Sequence, residues 1–411
     1  MLKLQLHWQI LIGFFVAILV GLYLTEYVEY VTWMGDLFLR ALNMVIVPLI
    51  LSSIVSGVAN IGSGESLGRL GAKTLGYYLT TSTFAIIVGL LFVNLLQPGV
   101  GADLGLSKEV EELAVVKKSF GDTLLEIVPT NIFESFMNSD MLQIIFFSII
   151  FGFFITKIED RYSTHLTDLF NATFEVMMKI TMVVIKFAPL GILGIVAGIV
   201  AEQAGDPGAL IDMVGRLGLY MAAVFFALVV HATVTLPLIL KFVAKVNPWL
   251  HLKAMTTPLL TAFSTSSSNA TLPLTMKAVE NDVGVSNKIT SFTLPLGATV
   301  NMDGTALYEC VAAMFIAQAY GVDLGLLEQA IVVFTALLAS IGAAGIPMAG
   351  LVTITIILSA VGLPLEGVGL ILSVDRILDM CRTTVNVWSD SCGAALIAKT
   401  EGESLNVDTG V

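Results

Sequence analysis

The sequence predicts an all-α, polytopic membrane protein, and three observations carry that prediction. Of 411 residues, 56% are hydrophobic and only 13% charged, against about a quarter charged in a typical soluble domain. Uncharged runs recur at 4–25, 41–64, 74–102, 217–240, 254–276 and 329–365. Several exceed the roughly 20 apolar residues that cross a bilayer as a helix. The runs are long and continuous, unlike the short alternating segments of a membrane barrel. The net charge of −12 speaks against nucleic acid or an anionic membrane surface as a partner.

Six simple spans come first, near 8–25, 36–61, 72–97, 124–156, 170–201 and 209–243. The single lysine before the first apolar run, with no small-residue cleavage signal, reads as a retained helix rather than a signal peptide. Basic residues set the orientation. Lys3, Arg69, Lys73, Lys157, Arg161, Lys241, Lys245, Lys253, Lys277, Lys288 and Lys399 fall on one side if both termini are cytoplasmic, as in a multi-pass cell (inner) membrane protein. The opposite loops carry Glu26, Glu29, Asp36, Glu109, Glu111, Glu112, Glu202 and Asp206. Lys108, Lys117 and Lys118 depart from the pattern, in a polar loop over 98–122 that reads as solvated.

Beyond residue 250 the pattern changes. Residues 254–276 hold no charge but ten serines and threonines, with Pro258 and Pro273. As one lipid-facing span this makes poor sense. As two half-spans meeting at a polar tip, "STSSSNATLP", it makes good sense, because irregular backbone at membrane depth is tolerated only where it is buried or lines a wet cavity. Residues 329–365 repeat the theme. They are 37 uncharged residues broken by "SIGAAGIPMAG", with Asp323, Glu328 and Glu366 around them and no flanking lysine or arginine. Each hairpin is followed by a helix interrupted by polar residues, "NMDGTALYE" (301–309) and "DRILDMCRTTVNVWSD" (375–390). Hairpin plus broken helix, twice, from opposite sides, is an inverted repeat. It points to a secondary transporter with its site near the midplane.

On a helix Asp375, Asp379, Arg382, Asn386 and Asp390 share a stripe of about 80°. Each charge facing lipid would cost on the order of 3 kcal/mol, so the stripe faces protein and water; Arg376 points off it. The bland alternative is an ion-pair network that locks two helices together. With Asp303 and Glu309 the group holds five acids against the two bases Arg376 and Arg382, leaving three negative charges unbalanced when all are ionised. Bound cations can supply the balance, and carboxylates, freed carbonyls and hydroxyls suit small hard ones; a proton on Glu309 can remove one charge. Arg382 offers a planar fork for a carboxylate, Asp379 a partner for an ammonium, and the hairpin-tip amides a site for a second carboxylate. The groups are complementary to an amino acid with an acidic side chain. Cys310, Cys381 and Cys392 show neither disulfide nor metal spacing, and the four histidines are scattered with no metal site.

The motifs "TSSSNATLP", "NMDGTALYE", "SIGAAGIPMAG" and "DRILDMCRTTVNVWSD", in this order over nearly the whole chain, resemble the dicarboxylate/amino acid:cation symporters. That family includes the archaeal sodium-coupled aspartate transporters and the mammalian excitatory amino acid transporters. The resemblance implies eight membrane helices and two re-entrant hairpins in a homotrimer, working as an elevator. Residues 1–71 would supply scaffold helices one and two, and 122–205 scaffold helices four and five. The mobile transport part would comprise helix three and the polar external loop (72–121) together with 206–411: helix six, hairpin 250–281, helix seven, hairpin 325–363 and helix eight.

For the substrate, the resemblance implies Arg382 on the side-chain carboxylate and Asp379 on the amino group. Asn386 and Thr383 would support the α-groups, Ser266 and Ser268 would contribute from the first tip, and Thr305, Ile346 and Gly350 would close the pocket. It implies co-transported sodium at three places: Gly297, Asn301, Asn386 and Asp390; backbone groups of Thr299, Ser340, Ile341 and Ala343; and Tyr78, Thr81, Ser82, Asn301 and Asp303. Glu309 would carry a co-transported proton, with potassium as a counter-transported ion. Many members carry an arginine where this chain has Ser266 or Met380, which bears on affinity more than on substrate class. Asp379 speaks against a C4-dicarboxylate carrier and Arg382 against a neutral amino acid carrier. A purely proton-driven glutamate/aspartate carrier is the alternative within the family. An intramembrane aspartyl protease lacks its "GxGD" context here, and the buried ion pairs favour a carrier over a channel, so the expectation is not an enzyme.

Overall fold

The structure, a computed structural model, describes residues 6–61, 65–101, 125, 127–138, 140–202, 207–341 and 350–408. Among them there is no strand; a single isolated bridge pairs Val246 with Asp408. The helices are α1 (Leu6–Tyr23), α2 (Glu29–Ile61), α3 (Glu65–Leu96), α4 (Ile132–Asn138), α5 (Met141–Ile155), α6 (Asp160–Ile185), α7 (Ala188–Glu202) and α8 (Pro207–Val230). After α8 come a π-helical turn (His231–Thr235), the short α9 (Leu236–Ile239) and a second π-helical turn (Leu240–Ala244). Then follow α10 (Pro248–Ala254), α11 (Thr256–Thr265), α12 (Ser268–Ala278), α13 (Asn287–Val300), α14 (Asp303–Ala319), α15 (Leu326–Ile341), α16 (Gly350–Ala360) and α17 (Val368–Thr400).

Among the described residues, three helices can cross a membrane by length and composition, or four if α6 and α7 count as one bent span. The expected span 170–201 is therefore corrected. Its helix begins at Asp160 and breaks between Ile185 and Ala188 with a bend of 52°. Pro189 causes the break: it lacks an N–H and its ring clashes with the carbonyl four residues back. The expected span 124–156 is resolved into α4 and α5 in its described part, because Asn138 and Asp140 interrupt the apolar run. The division expected between residues 71 and 72 falls inside α3. The helix runs past the apolar stretch, because Arg69 and Lys73 in its added turns pair with Glu401. The divisions expected after 121 and 205, and nearly all of the loop 98–122, lie outside the described residues.

Packing sorts the helices. α2 packs extensively on α5, α6 and α7, and α1 on α7. Most other helices gather on α14 and α17: α3, α8 and α15 lie against α14, and α11 and α13 against α17, while α4 packs on α5. Both expected hairpins appear as packed helix pairs, α11 on α12 and α15 on α16. In the first, Ser266 ends α11 in the left-handed region at φ 51°, and Ser267 caps α12 by accepting from the Ala270 N–H at 3.2 Å. The tip of the second, 342–349, lies outside the described residues. α14 is completely buried from Asp303 to Ala317, so its polar side chains must find partners inside the protein.

At one end, residues 401–408 are knit to the segments that flank the first hairpin. Lys399 pairs with Asp408 at 2.8 Å. Glu403 accepts from Ser286 N–H at 3.0 Å. The backbones of Asn247 and Asn406 donate to Val407 and Val283.

Candidate functional site

The site is built on α17. Asp375, Asp379, Arg382, Asn386 and Asp390 are all 3% exposed or less, so the expected stripe faces inward along its length. Arg376, off the stripe, keeps 27% of its side chain exposed and lies 3.9 Å from Asp379. Arg382 is among the largest fully buried side chains. Its Nε donates to Asp379 Oδ1 at 2.9 Å and its Nη1 to Asp375 Oδ1 at 2.9 Å, while its guanidinium lies over the Tyr308 ring at 4.2 Å. Arg382 thus bridges two carboxylates, one of which, Asp379, also lies within reach of Arg376. The second hairpin reaches this group: a Cβ on Gly350 would stand 2.8 Å from Arg382 Nη1. Gly350 therefore admits the guanidinium at the N-terminus of α16, where free amides favour a carboxylate.

Facing α17 is the break between α13 and α14. Asn301 and Met302 leave the helical region there (ψ 74° and 53°). Asn386 closes the opened end: its Oδ1 accepts from the N–H groups of Gly304 (2.7 Å) and Thr305 (3.4 Å), and its Nδ2 donates to Thr305 Oγ1 at 3.1 Å. One side chain from α17 thus caps a helix in another segment.

Asp303, the first residue of α14, is surrounded by hydroxyl groups and an imidazole. Ser82 and Thr81 on α3 donate to Oδ1 at 2.6 and 3.2 Å. Ser389 on α17 donates to Oδ2 at 2.6 Å, and His231 Nε2 lies 3.1 Å from the same oxygen. Asn301 Nδ2 donates to Ser389 Oγ at 3.0 Å and to Asp390 Oδ1 at 2.9 Å. A Cβ on Gly297 would stand 2.4 Å from Asp390 Oδ1 and 2.8 Å from the Tyr78 hydroxyl. The Tyr78 hydroxyl donates to Thr293 O at 2.7 Å. Hydroxyl, carbonyl and carboxylate oxygens converge here, a donor set that suits a small hard cation.

Of the residues expected at the substrate, Asp379, Arg382, Asn386, Thr305 and Gly350 are brought together. Thr383, Ser266 and Ser268 are buried, Thr383 on α17 and the two serines at the first hairpin tip, whose helix α11 packs on α17. Ile346 lies outside the described residues. Of those expected at sodium, Tyr78, Thr81, Ser82, Gly297, Asn301, Asp303 and Asp390 form one connected cluster. Asn386 stands one turn from Asp390. Thr299 sits near the end of α13, and Ser340 and Ile341 end α15, which packs on α13. Ala343 lies outside the described residues. Glu309, expected to carry a proton, is fully buried on α14 and accepts from Thr353 on α16.

Residues 6–400 match the model of the sodium:dicarboxylate symporter family. The chain belongs to that family. Three relatives within it are similar over most of their length. The proton/glutamate-aspartate symporter of Escherichia coli K12 is 36% identical over 417 residues, covering 97% of this chain and 94% of that protein. The proton/sodium-glutamate symport protein of Geobacillus stearothermophilus is 37% identical over 416 residues, covering 98% and 96%. The human excitatory amino acid transporter 3 is 38% identical over 427 residues, covering 92% and 80%.

In this member of the sodium:dicarboxylate symporter family the structure adds a partner that the sequence reading left aside. His231 was one of four scattered histidines; it is buried against Asp303. Pro237 denies a hydrogen bond to the carbonyl four residues back. The helix widens there into the π-helical turn that begins at His231, and Trp388 Nε1 donates to the Ala232 carbonyl at 3.1 Å. Asp375 was expected in the charged stripe but given no place at the substrate; it is an ion-pair partner of Arg382.

Proposed function

We propose that this chain is a secondary active symporter that moves acidic amino acids, L-glutamate and L-aspartate, across a membrane together with sodium and a proton. One observation carries this reading: Arg382, buried where the N-terminus of α16 meets the start of α14, is held by Asp379 and Asp375. A buried guanidinium with an adjacent carboxylate, next to a helix N-terminus, matches an amino acid bearing a second carboxylate. The names of the bacterial and human relatives fit the same substrates, and that of the Geobacillus stearothermophilus protein includes both proton and sodium.

In this reading Arg382 takes the side-chain carboxylate and Asp379 turns from it toward the ammonium. Thr383 and Asn386 support the α-groups, with Ser266, Ser268, Thr305, Ile346 and Gly350 around them. Sodium, as cargo, is held at Asp390 with Gly297, Asn301 and Asn386; at Asp303 with Tyr78, Thr81, Ser82 and Asn301; and at backbone groups of Thr299, Ser340, Ile341 and Ala343. Glu309 carries the proton, and potassium is tested as the ion of the return step.

Eight membrane helices and two re-entrant hairpins, with both termini cytoplasmic in the cell membrane, belong to the same proposal. So do a homotrimer and an elevator movement. The packing of α1, α2, α5, α6 and α7 on one another supports a scaffold distinct from the part gathered on α14 and α17. Gly89, whose added Cβ would meet Leu307 at 3.1 Å, lets α3 pack closely on α14, which supports placing α3 with the moving part.

Equilibrium binding to the purified protein tests the substrate class. L-aspartate and L-glutamate should bind in sodium and lose at least about tenfold affinity without it, about 1.4 kcal/mol. Succinate and L-alanine should compete poorly. Equal binding of succinate would overturn the role given to Asp379, and equal binding of alanine that given to Arg382.

A further inference from the structure

Glu309 on α14 is completely buried, and one of its oxygens, Oε2, has no hydrogen-bond partner among the described residues. The other accepts from the hydroxyl of Thr353. Thr353 sits in the first turn of α16, and its Oγ1 also lies 2.9 Å from the carbonyl of Gly350. A hydroxyl has one proton to donate and two lone pairs with which to accept. It can donate to Glu309 or to Gly350, but not to both.

We propose that Thr353 is a positioning residue through which the protonation of Glu309 sets the fit of the second hairpin over Arg382. The inference rests on the reading of Glu309 as the proton carrier. With Glu309 ionised, the Thr353 hydroxyl donates to the carboxylate and the Gly350 carbonyl loses that donor. With Glu309 protonated, its O–H donates to Thr353 Oγ1, and the Thr353 hydroxyl turns to Gly350. The protonated state therefore braces the first turn of α16. That turn begins at Gly350, whose Cα has no room for a Cβ against the Arg382 guanidinium. Proton and substrate then favour the same placement of the hairpin, which couples their binding. Among the described residues the charged group that acts on Glu309 is Arg382 from α17, and the Cys310 thiol adjoins it on its own helix. Thr353 also lines a small cavity with Ser53 and Ile54 of α2, Ile145 of α5 and Ala339 of α15.

The test is aspartate affinity of the purified protein at saturating sodium between about pH 5.5 and 8.5, where one linked proton changes affinity by up to about tenfold per pH unit. The wild type should weaken as pH rises. Glu309→Gln should flatten the profile. Thr353→Val, which keeps the shape and removes the hydroxyl, should also flatten it to within about twofold across the range while Glu309 is still present. Thr353→Ser should restore the slope, and Thr353→Ala should flatten it again should valine fold poorly. Adding Thr353→Val to Glu309→Gln should change the profile no further. A wild-type slope in Thr353→Val and Thr353→Ala, with Glu309→Gln flat, would overturn the role of Thr353 and leave Glu309 as the carrier. A wild-type slope in Glu309→Gln would overturn both.

Discussion

Gly297 on α13 and Asp390 on α17 approach so closely that a Cβ on the glycine would stand 2.4 Å from the carboxylate oxygen Oδ1. Real side-chain carbons do not tolerate that distance, so the two helices can meet at this depth only with glycine at 297. Asn301, one turn on, donates to the same oxygen at 2.9 Å. Gly297→Ala should therefore push Asp390 off its position and raise the sodium concentration needed for half-maximal aspartate binding by at least about tenfold, in line with the 1–3 kcal/mol typical of overpacking. An unchanged sodium titration would remove Asp390 from the proposed cation site.

Asp390→Asn keeps the shape but removes the charge. Sodium dependence of aspartate binding should weaken by more than about tenfold, while binding at saturating sodium changes less. A loss of affinity that saturating sodium does not repair would assign Asp390 to the fold rather than to the cation.

Arg382 separates charge from shape. Removing it outright strands two buried carboxylates, and breaking a buried pair in this way typically costs about 3–5 kcal/mol. Arg382→Lys retains the charge and loses the fork. It should keep a melting temperature close to the wild type and lose acidic substrate binding by more than about tenfold. Wild-type aspartate affinity in Arg382→Lys would contradict the pocket assignment.

Asn386→Ala takes away the side chain that closes the N-terminus of α14. The loss of such a cap costs about 0.5–2 kcal/mol, so the variant should melt earlier and bind aspartate more weakly, through both the cap and the substrate. Asn386→Asp, which still accepts from Gly304 N–H, should recover most of the melting temperature. Equal destabilisation by both would show that the cap is not what Asn386 contributes.

The end of α17, beyond its apolar stretch, carries a pH-dependent contact. Lys73 donates to Glu401 at 2.6 Å and Arg69 lies 2.5 Å from its other oxygen; the Lys73 hydrogen bond foremost holds the Glu401 carboxyl below the usual carboxylate range. A depressed folded-state value contributes stability above the unfolded value, and the contribution is lost as pH falls through the folded one. Glu401→Gln should therefore melt slightly below the wild type at neutral pH, with the difference vanishing as pH drops below about 4. A difference that grows in acid would reverse the sign and contradict the contact. The effect is small, as expected of exposed ion pairs.

Much of this arrangement is legible in the sequence, for a physical reason. Charge inside an apolar span is costly, so Asp303, Glu309 and the stripe from Asp375 to Asp390 announce an interior site without any coordinates. The serine-rich tip and the "NMDG" break are equally readable, since polar backbone at membrane depth needs burial. Tyr78, Thr81 and Ser82 are different. Hydroxyls on a helix can bond to their own backbone, and Thr81 does lie 3.2 Å from the Tyr77 carbonyl. Only the packing of α3 against α14 and α13 turns Thr81 and Ser82 toward Asp303 and Tyr78 toward Thr293. The partnership of His231 with Asp303 spans 72 residues, and a lone histidine in an apolar run carries no sign of its partner. The break before Ala188 was visible in Pro189, but hydropathy alone runs straight through it.

The most direct test of the account is uptake of radiolabelled L-aspartate and L-glutamate into proteoliposomes, driven by an imposed sodium gradient and, separately, by a proton gradient without sodium. Uptake that requires sodium, and is faster with protons supplied from the same side, is the predicted result. Uptake at full rate on the proton gradient alone would contradict it, because the oxygen cluster of Asp303, Asn301 and Asp390 would then carry no sodium in the cycle.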